Sequence, residues 1–229
     1  MNLPGFNRTI FYALGACFAL DMFAILMDMT KVDLLLRPTI LVLLVIQGVL
    51  WIRSGGGRLP YYLILLGLLV AIPNEVLQRF YGMGGQSIVG TSIYYALFFL
   101  AFATLRLVAL SWRIVIPFAV LAVYMLVLFF IINPMTYRQE AATYMGVTTL
   151  MLGFAFYPLM IDRGIAKGRV LALGGVLLLL SDSIRAYVFL TMGYYAGTFL
   201  VNQLLEAVIV GLFFLGHFCV VQVIRDSRD

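Results

Sequence analysis

Residues 168–191 read GRVLALGGVLLLLSDSIRAYVFLT. After Arg169 at its start, and around one acidic and one basic residue in its second half, this run is continuously apolar or small. A helix over it, at 1.5 Å per residue, is about 36 Å long, enough to cross a hydrocarbon core of ~30 Å. Seven further windows of this kind lie along the chain, separated by polar or Gly/Pro punctuation. They run Thr9–Met27, Leu34–Ile52, Leu59–Gln78, Ile88–Ala109, Trp112–Ile132, Glu140–Ile161 and Thr198–Ile224. With 64% hydrophobic and 11% charged residues, there is too little polar surface to clothe a water-soluble globule. The expected fold is all-α: a polytopic integral membrane bundle of eight transmembrane helices forming one transmembrane domain over residues 1–229. A β-barrel would show alternating strands of about ten residues, and these segments do not alternate. The first apolar run follows Arg8 like a signal peptide. Asp21 interrupts it, however, and no small-x-small site precedes the charged Asp28–Asp33 stretch, so it is read as the first span.

Orientation follows from the distribution of Arg and Lys, which cytoplasmic loops retain. Arg8, Arg53, Arg58, Arg106, Arg113, Arg163, Lys167, Arg169, Arg225 and Arg228 fall on the amino-terminal side, against Lys31, Arg37, Arg79, Arg138 and Arg185 on the other. Both termini are therefore expected in the cytoplasm, and a bacterial inner (cell) membrane is the expected location. The net charge of +5 is scattered singly over short loops, which excludes a nucleic-acid footprint.

Cys17 and Cys219 sit within apolar segments and read as small packing residues. His217 is the sole histidine, and no Cys/His cluster, HExxH or phosphate-loop spacing occurs, so neither a metal nor a cofactor is expected. The two lysines, Lys31 and Lys167, lie in loops, which excludes a retinal Schiff base. Ser54-Gly55-Gly56-Gly57 reads as a turn. No half-to-half repeat of the transporter kind is visible. The small-residue runs Gly146–Gly153 and Gly164–Gly168 suit packing within one subunit or between two, so the oligomeric state stays open.

Four acids interrupt the spans: Asp21 in the first, Glu75 in the third, Asp182 in the seventh and Glu206 in the eighth. On this topology all four fall in the outer half of the bilayer. Acids at one depth point to a polar cavity opening outward rather than to lipid-facing accidents. Glu75 precedes Arg79 by four residues and Asp182 precedes Arg185 by three, so each arginine shares a helix face with its acid. The plain reading is two intrahelical ion pairs whose arginines snorkel to the headgroups. Pro73 removes a backbone hydrogen bond beside Asn74 and Glu75, which favours a site there. His217 reads as an interhelical hydrogen-bonder, and Tyr94, Tyr95, Tyr194 and Tyr195 as interfacial aromatics.

Arg37-Pro38 opening the second span, Gly67-Leu68 leading to Asn74-Glu75, Gly174-Gly175 leading to Ser181-Asp182, and Phe214-Leu215-Gly216-His217-Phe218 near the end follow one another in a familiar order. In order, interval and eight-span plan the chain resembles the YhhN-like lysoplasmalogenase family over nearly its full length. That resemblance implies a membrane hydrolase that cleaves the vinyl ether of a lysoplasmalogen, a lysophospholipid, to a fatty aldehyde and a glycerophospho-headgroup. It implies two catalytic acids, Glu75 and Asp182. Glu75 after Asn74 stands where the family pattern has Asp after Gly, and a histidine usual in the fourth helix is replaced near Ala96.

The chemistry fits two carboxyl groups. Protonating the alkene carbon of a vinyl ether gives an oxocarbenium-like species that water captures, as in the two-carboxylate glycosidases. Arg79 and Arg185 lie roughly 6 and 4.5 Å nearer the surface than their acids, the order of phosphate and ether in a lysolipid. They are expected to bind phosphate, with Asn74, Ser181, Asp21, Glu206 and His217 lining the substrate site. The alternatives are a proton- or ion-coupled transporter using the same acids, and a non-catalytic lipid-binding protein.

Overall fold

Away from water a chain must satisfy its backbone polar groups internally, and continuous apolar runs do so as helices. The computed structural model describes residues 3–55, 57–81, 85–105, 107–132, 138–162, 165–188 and 199–225, with the side chains of 3–7, 79–81, 85, 132 and 199–200 outside that description. Among the described residues there are eight α-helices: α1 (Leu3–Leu26), α2 (Thr30–Gly55), α3 (Leu59–Tyr81), α4 (Gly85–Leu105), α5 (Val115–Ile132), α6 (Arg138–Ile161), α7 (Ala166–Tyr187) and α8 (Phe199–Arg225). Each contains a stretch long and apolar enough to cross a membrane.

Two boundaries differ from the sequence expectation in ways that matter. Helix α2 begins at Thr30 rather than Leu34, so Asp33 is helical and lies one turn before Arg37. Helix α4 ends at Leu105 rather than Ala109. Its freed backbone finds a distant partner: the Tyr157 hydroxyl donates to the Ala109 carbonyl (2.7 Å) and accepts from the Ser111 amide (2.7 Å). Hydropathy registers polarity and is blind to such a partner. The α1–α2 turn is tight, with Asp28 at φ 55°, and Gln203 Nε2 donates to Asp28 Oδ1 (3.1 Å).

Six helices close a ring in the order α2, α3, α4, α6, α7, α8 and back to α2. Helix α1 packs outside, in the groove between α2 and α8, and α5 packs outside against α6 with a small contact on α7. The tightest seam joins α7 to α8: a Cβ on Gly174 would meet the Gly216 carbonyl at 3.0 Å, and one on Gly216 would meet the Gly174 carbonyl at 3.2 Å. Only two glycines bring these backbones so close. The core combines aliphatic residues with Tyr94, Tyr95, Phe98 and Phe213, whereas Leu35, Leu59, Val123 and Phe130 face outward. Charge runs the opposite way, with Asp21, Asp33, Arg37, Glu75, Asp182 and Arg185 all buried. An apolar exterior around a charged interior is the arrangement a hydrocarbon solvent favours.

Candidate functional site

The charged interior lies toward the end of the bundle where α1, α3 and α7 finish and α2, α4, α6 and α8 begin. Asp182, on the inward face of α7, anchors one half of it. Its Oδ2 accepts the hydroxyl of Tyr144 (2.7 Å) from α6 and that of Tyr95 from α4. Both hydroxyls choose the same oxygen, so Oδ1 is engaged by neither. Three ring helices thus meet at one carboxyl group.

Arg185 sits one turn further along α7 and does not snorkel. It is buried, and its Nη1 reaches across to α3, donating to Gln78 Oε1 (2.6 Å) and pairing with Glu75 Oε1 (3.4 Å). Its guanidinium carbon stands 5.3 Å from the centre of the Phe213 ring of α8. The expected intrahelical pairing is therefore corrected. Asp182 attracts Arg185 electrostatically, but the guanidinium's ion pair is made between helices, because the ring interior offers it a second acid where lipid would offer none. Arg79 lies in α3, and its side chain is outside the described residues.

Glu75 and Asp182, 107 positions apart in sequence, thus lie on either side of this one guanidinium: Glu75 pairs with it directly, and Asp182, one turn back on α7, acts on it through its charge. A small chamber of about 40 Å³ adjoins Asp182 and Arg185, room for a water molecule or two. Gln78, Thr91, Tyr144, Asp182 and Arg185 line its polar side and Met125 and Met145 its apolar side. Glu75 does not line it.

A second charged cluster continues the first. Arg37 on α2 pairs with Asp33 on its own helix and, through Nη2, with Glu206 Oε1 (2.7 Å) on α8. It also attracts Glu75, which links the two halves. Asp21 projects from α1 into this cluster, wholly buried. Neither of its oxygens receives a described N–H or O–H, and its charge interacts with those of Arg37, Asp33 and Glu206. Five acids thus share two guanidiniums among the described side chains.

The remaining expected residues divide between support and site. Asn74 Nδ2 donates to Thr91 Oγ1 (3.0 Å), which donates to the Ser87 carbonyl (3.0 Å), so Asn74 staples α3 to α4. Ser181 donates to the Ile209 carbonyl (2.9 Å) and staples α7 to α8. Neither lines the chamber. Pro73 faces outward and α3 runs unbroken through it. His217 is wholly buried; its Nδ1 bonds the Phe213 carbonyl (2.8 Å) of its own helix, which corrects the interhelical expectation, and Nε2 has no hydrogen-bond partner among the described residues. Its ring lies 4.2 Å from that of Phe213.

Tyr94 and Tyr95 were expected at the membrane interface and are instead almost wholly buried, at 1% and 0% exposure. A tyrosine pair in an apolar run looks the same in sequence whether its hydroxyls reach headgroups or a buried carboxylate. Tyr194 and Tyr195 lie outside the described residues. Sequence reasoning also gave no site role to Tyr144, Gln78, Asp33 and Arg37. For the last two a signal existed: Asp33 and Arg37 stand four apart, the spacing of a helical ion pair. No family model, no curated protein and no solved structure matches this chain.

Proposed function

We propose that this chain is a multi-pass membrane hydrolase of the YhhN-like lysoplasmalogenase kind, with both termini cytoplasmic in a bacterial inner membrane, and that its substrate is a lysophospholipid bearing a vinyl ether. The observation that carries the reading is that Arg185, one turn along α7 from Asp182, pairs with Glu75 across a closed ring of helices, beside a chamber that Asp182 and Arg185 line. Asp182 and Glu75 are the two acids that the family resemblance assigns.

In this reading Asp182 is the residue that touches substrate. Its carboxyl proton goes to the alkene carbon remote from the ether oxygen, whose lone pair closes an oxocarbenium ion. Water adds to the cationic carbon and returns a proton to Asp182. The resulting hemiacetal breaks its bond to the glycerol oxygen, which takes the hemiacetal proton. One water is consumed, an aldehyde and an alcohol leave, and no oxidant or reductant is needed. Tyr95 and Tyr144 hold Oδ2 and leave Oδ1 for the reaction. Both described bonds of Arg185 leave from Nη1; in this reading the other donors of its fork meet phosphate, with Arg79 assigned the same part. Glu75 lies behind Arg185 and acts through it, holding the cation in place and offsetting its charge.

Purified protein in detergent is expected to release aldehyde from lysoplasmalogen. Asp182→Asn should abolish this, with Glu75→Gln strongly impaired, a loss of at least ~10²-fold for the acid. Undiminished turnover in both variants would overturn the assignment. A second reading, an ion-coupled carrier, is favoured by Asp21, whose carboxyl is wholly buried with no described hydrogen-bond partner. It would show activity only across a sealed membrane.

A further inference from the structure

The chamber at Asp182 is not sealed on its apolar side. Met125 of α5 and Met145 of α6 line both the chamber and a groove on the outer surface of the bundle. This groove has a volume of about 560 Å³ and a wall of small and apolar residues: Ala122 and Phe129 from α5, Ala142, Gly146 and Thr149 from α6. From Ala142 to Leu150 it follows α6 for about 12 Å. Helix α5 stands outside the ring, and its described side-chain hydrogen bond to a neighbouring helix runs from the Tyr124 hydroxyl to Ser183 Oγ (2.8 Å). Met125 and Met145 are the residues common to the walls of groove and chamber. Methionine is unbranched and turns about three bonds, so it moves aside without moving backbone.

A second apolar groove, of about 160 Å³, lies between α1, α2 and α8 and includes Phe11, Gly15, Phe18 and Phe218. It shares no residue with the chamber. Of the two grooves, the first shares lining residues with the chamber that holds the Asp182 carboxyl and the Arg185 guanidinium.

The geometry points to the α5/α6 groove as a lateral portal that seats the hydrocarbon chain of a single-chain lipid, with Met125 and Met145 as its gate and the lipid's polar end at Asp182 and Arg185. The identity of that lipid rests on the function proposed above; the seat itself does not. In a membrane a hydrocarbon chain gains little by leaving bulk lipid for a groove, because both are apolar. What the groove supplies is register: it holds the chain so that the polar end meets Asp182 in one orientation.

Gly146 and Gly15 allow a matched test. A Cβ added at either meets nothing within 4 Å, so leucine at each fills its groove without displacing the fold. A lysolipid with a photoreactive group in mid-chain is bound to wild-type protein in detergent, irradiated, and its adducts located by mass spectrometry. Adducts are expected on Ala122–Leu126 and Ala142–Leu150, reduced about tenfold in Gly146→Leu, equivalent to ~1.4 kcal/mol of chain placement, and unchanged in Gly15→Leu. Ala142→Leu, one turn away on the same wall, repeats the test should Gly146→Leu fail to fold. Adducts on the α1/α2/α8 groove, or spread over all outward faces and insensitive to Gly146→Leu, would overturn the portal. Aldehyde release measured on the same samples separates the two ideas. Adducts in the α5/α6 groove without turnover leave the portal standing and reject the hydrolase, whereas turnover with adducts elsewhere does the reverse.

Discussion

Replacing Arg185 by methionine removes the cation that joins α7 to α3. The guanidinium and the Glu75 carboxylate stand 3.4 Å apart with side chains 7% and 2% exposed. At an effective dielectric constant of ~20 their attraction is about 5 kcal/mol, and breaking a buried pair by removing one partner costs about 3–5 kcal/mol, since the other charge stays behind uncompensated. The bond to Gln78 and the contact with the Phe213 ring are lost as well. For a chain of this size each kcal/mol shifts Tm by about 2–4 °C, so Arg185→Met should melt roughly 6–20 °C below wild type. The assay is thermal unfolding in detergent, followed by helical circular dichroism. The decisive variant is the double one. Adding Glu75→Gln to Arg185→Met neutralises the stranded carboxylate, and about half or more of the lost stability should return. A single variant within ~1 kcal/mol of wild type, as for a surface pair, or a double variant no better than the single, would refute the cross-helix pairing.

Tyr95→Phe and Tyr144→Phe each delete one hydroxyl held by Asp182 Oδ2; at about 1.5–3 kcal/mol for a bond to a charged group, each should lower aldehyde release about ten- to hundredfold while the protein remains folded. Gly174→Ala drives a Cβ to 3.0 Å from the Gly216 carbonyl and should cost about 1–3 kcal/mol, read as a lowered Tm, whereas Gly146→Ala, facing open space, should stay within about 0.5 kcal/mol of wild type.

Asp182 and Glu75 stand out in the sequence because lipid makes any charge conspicuous, and a carboxylate amid leucines requires a reason. Their partners do not stand out. Tyr95 and Tyr144 are ordinary residues for a membrane helix, and nothing local marks their hydroxyls as donors to an acid on α7. The pairing of Arg185 was misread for a related reason. A helix seen alone offers Arg185 its own Asp182 one turn back and lipid headgroups beyond, whereas the closed ring brings Gln78 and Glu75 of α3 within reach. Asp33 lies before the apolar window that begins at Leu34, yet it is helical, because Arg37 one turn on compensates its charge inside the bundle.

Helix number, helix type and the depth of the charged residues follow from the chain alone, since each depends on one segment meeting one solvent: about twenty apolar residues must coil to satisfy their own backbone wherever they insert. The ring order, the exclusion of α1 and α5 from it, and the choice of Glu75 as the ion-pair partner of Arg185 depend on which helix faces which. Residues more than a hundred positions apart meet there, and the short-range forces of hydrogen bonds and close packing act only once the helices have been brought into contact.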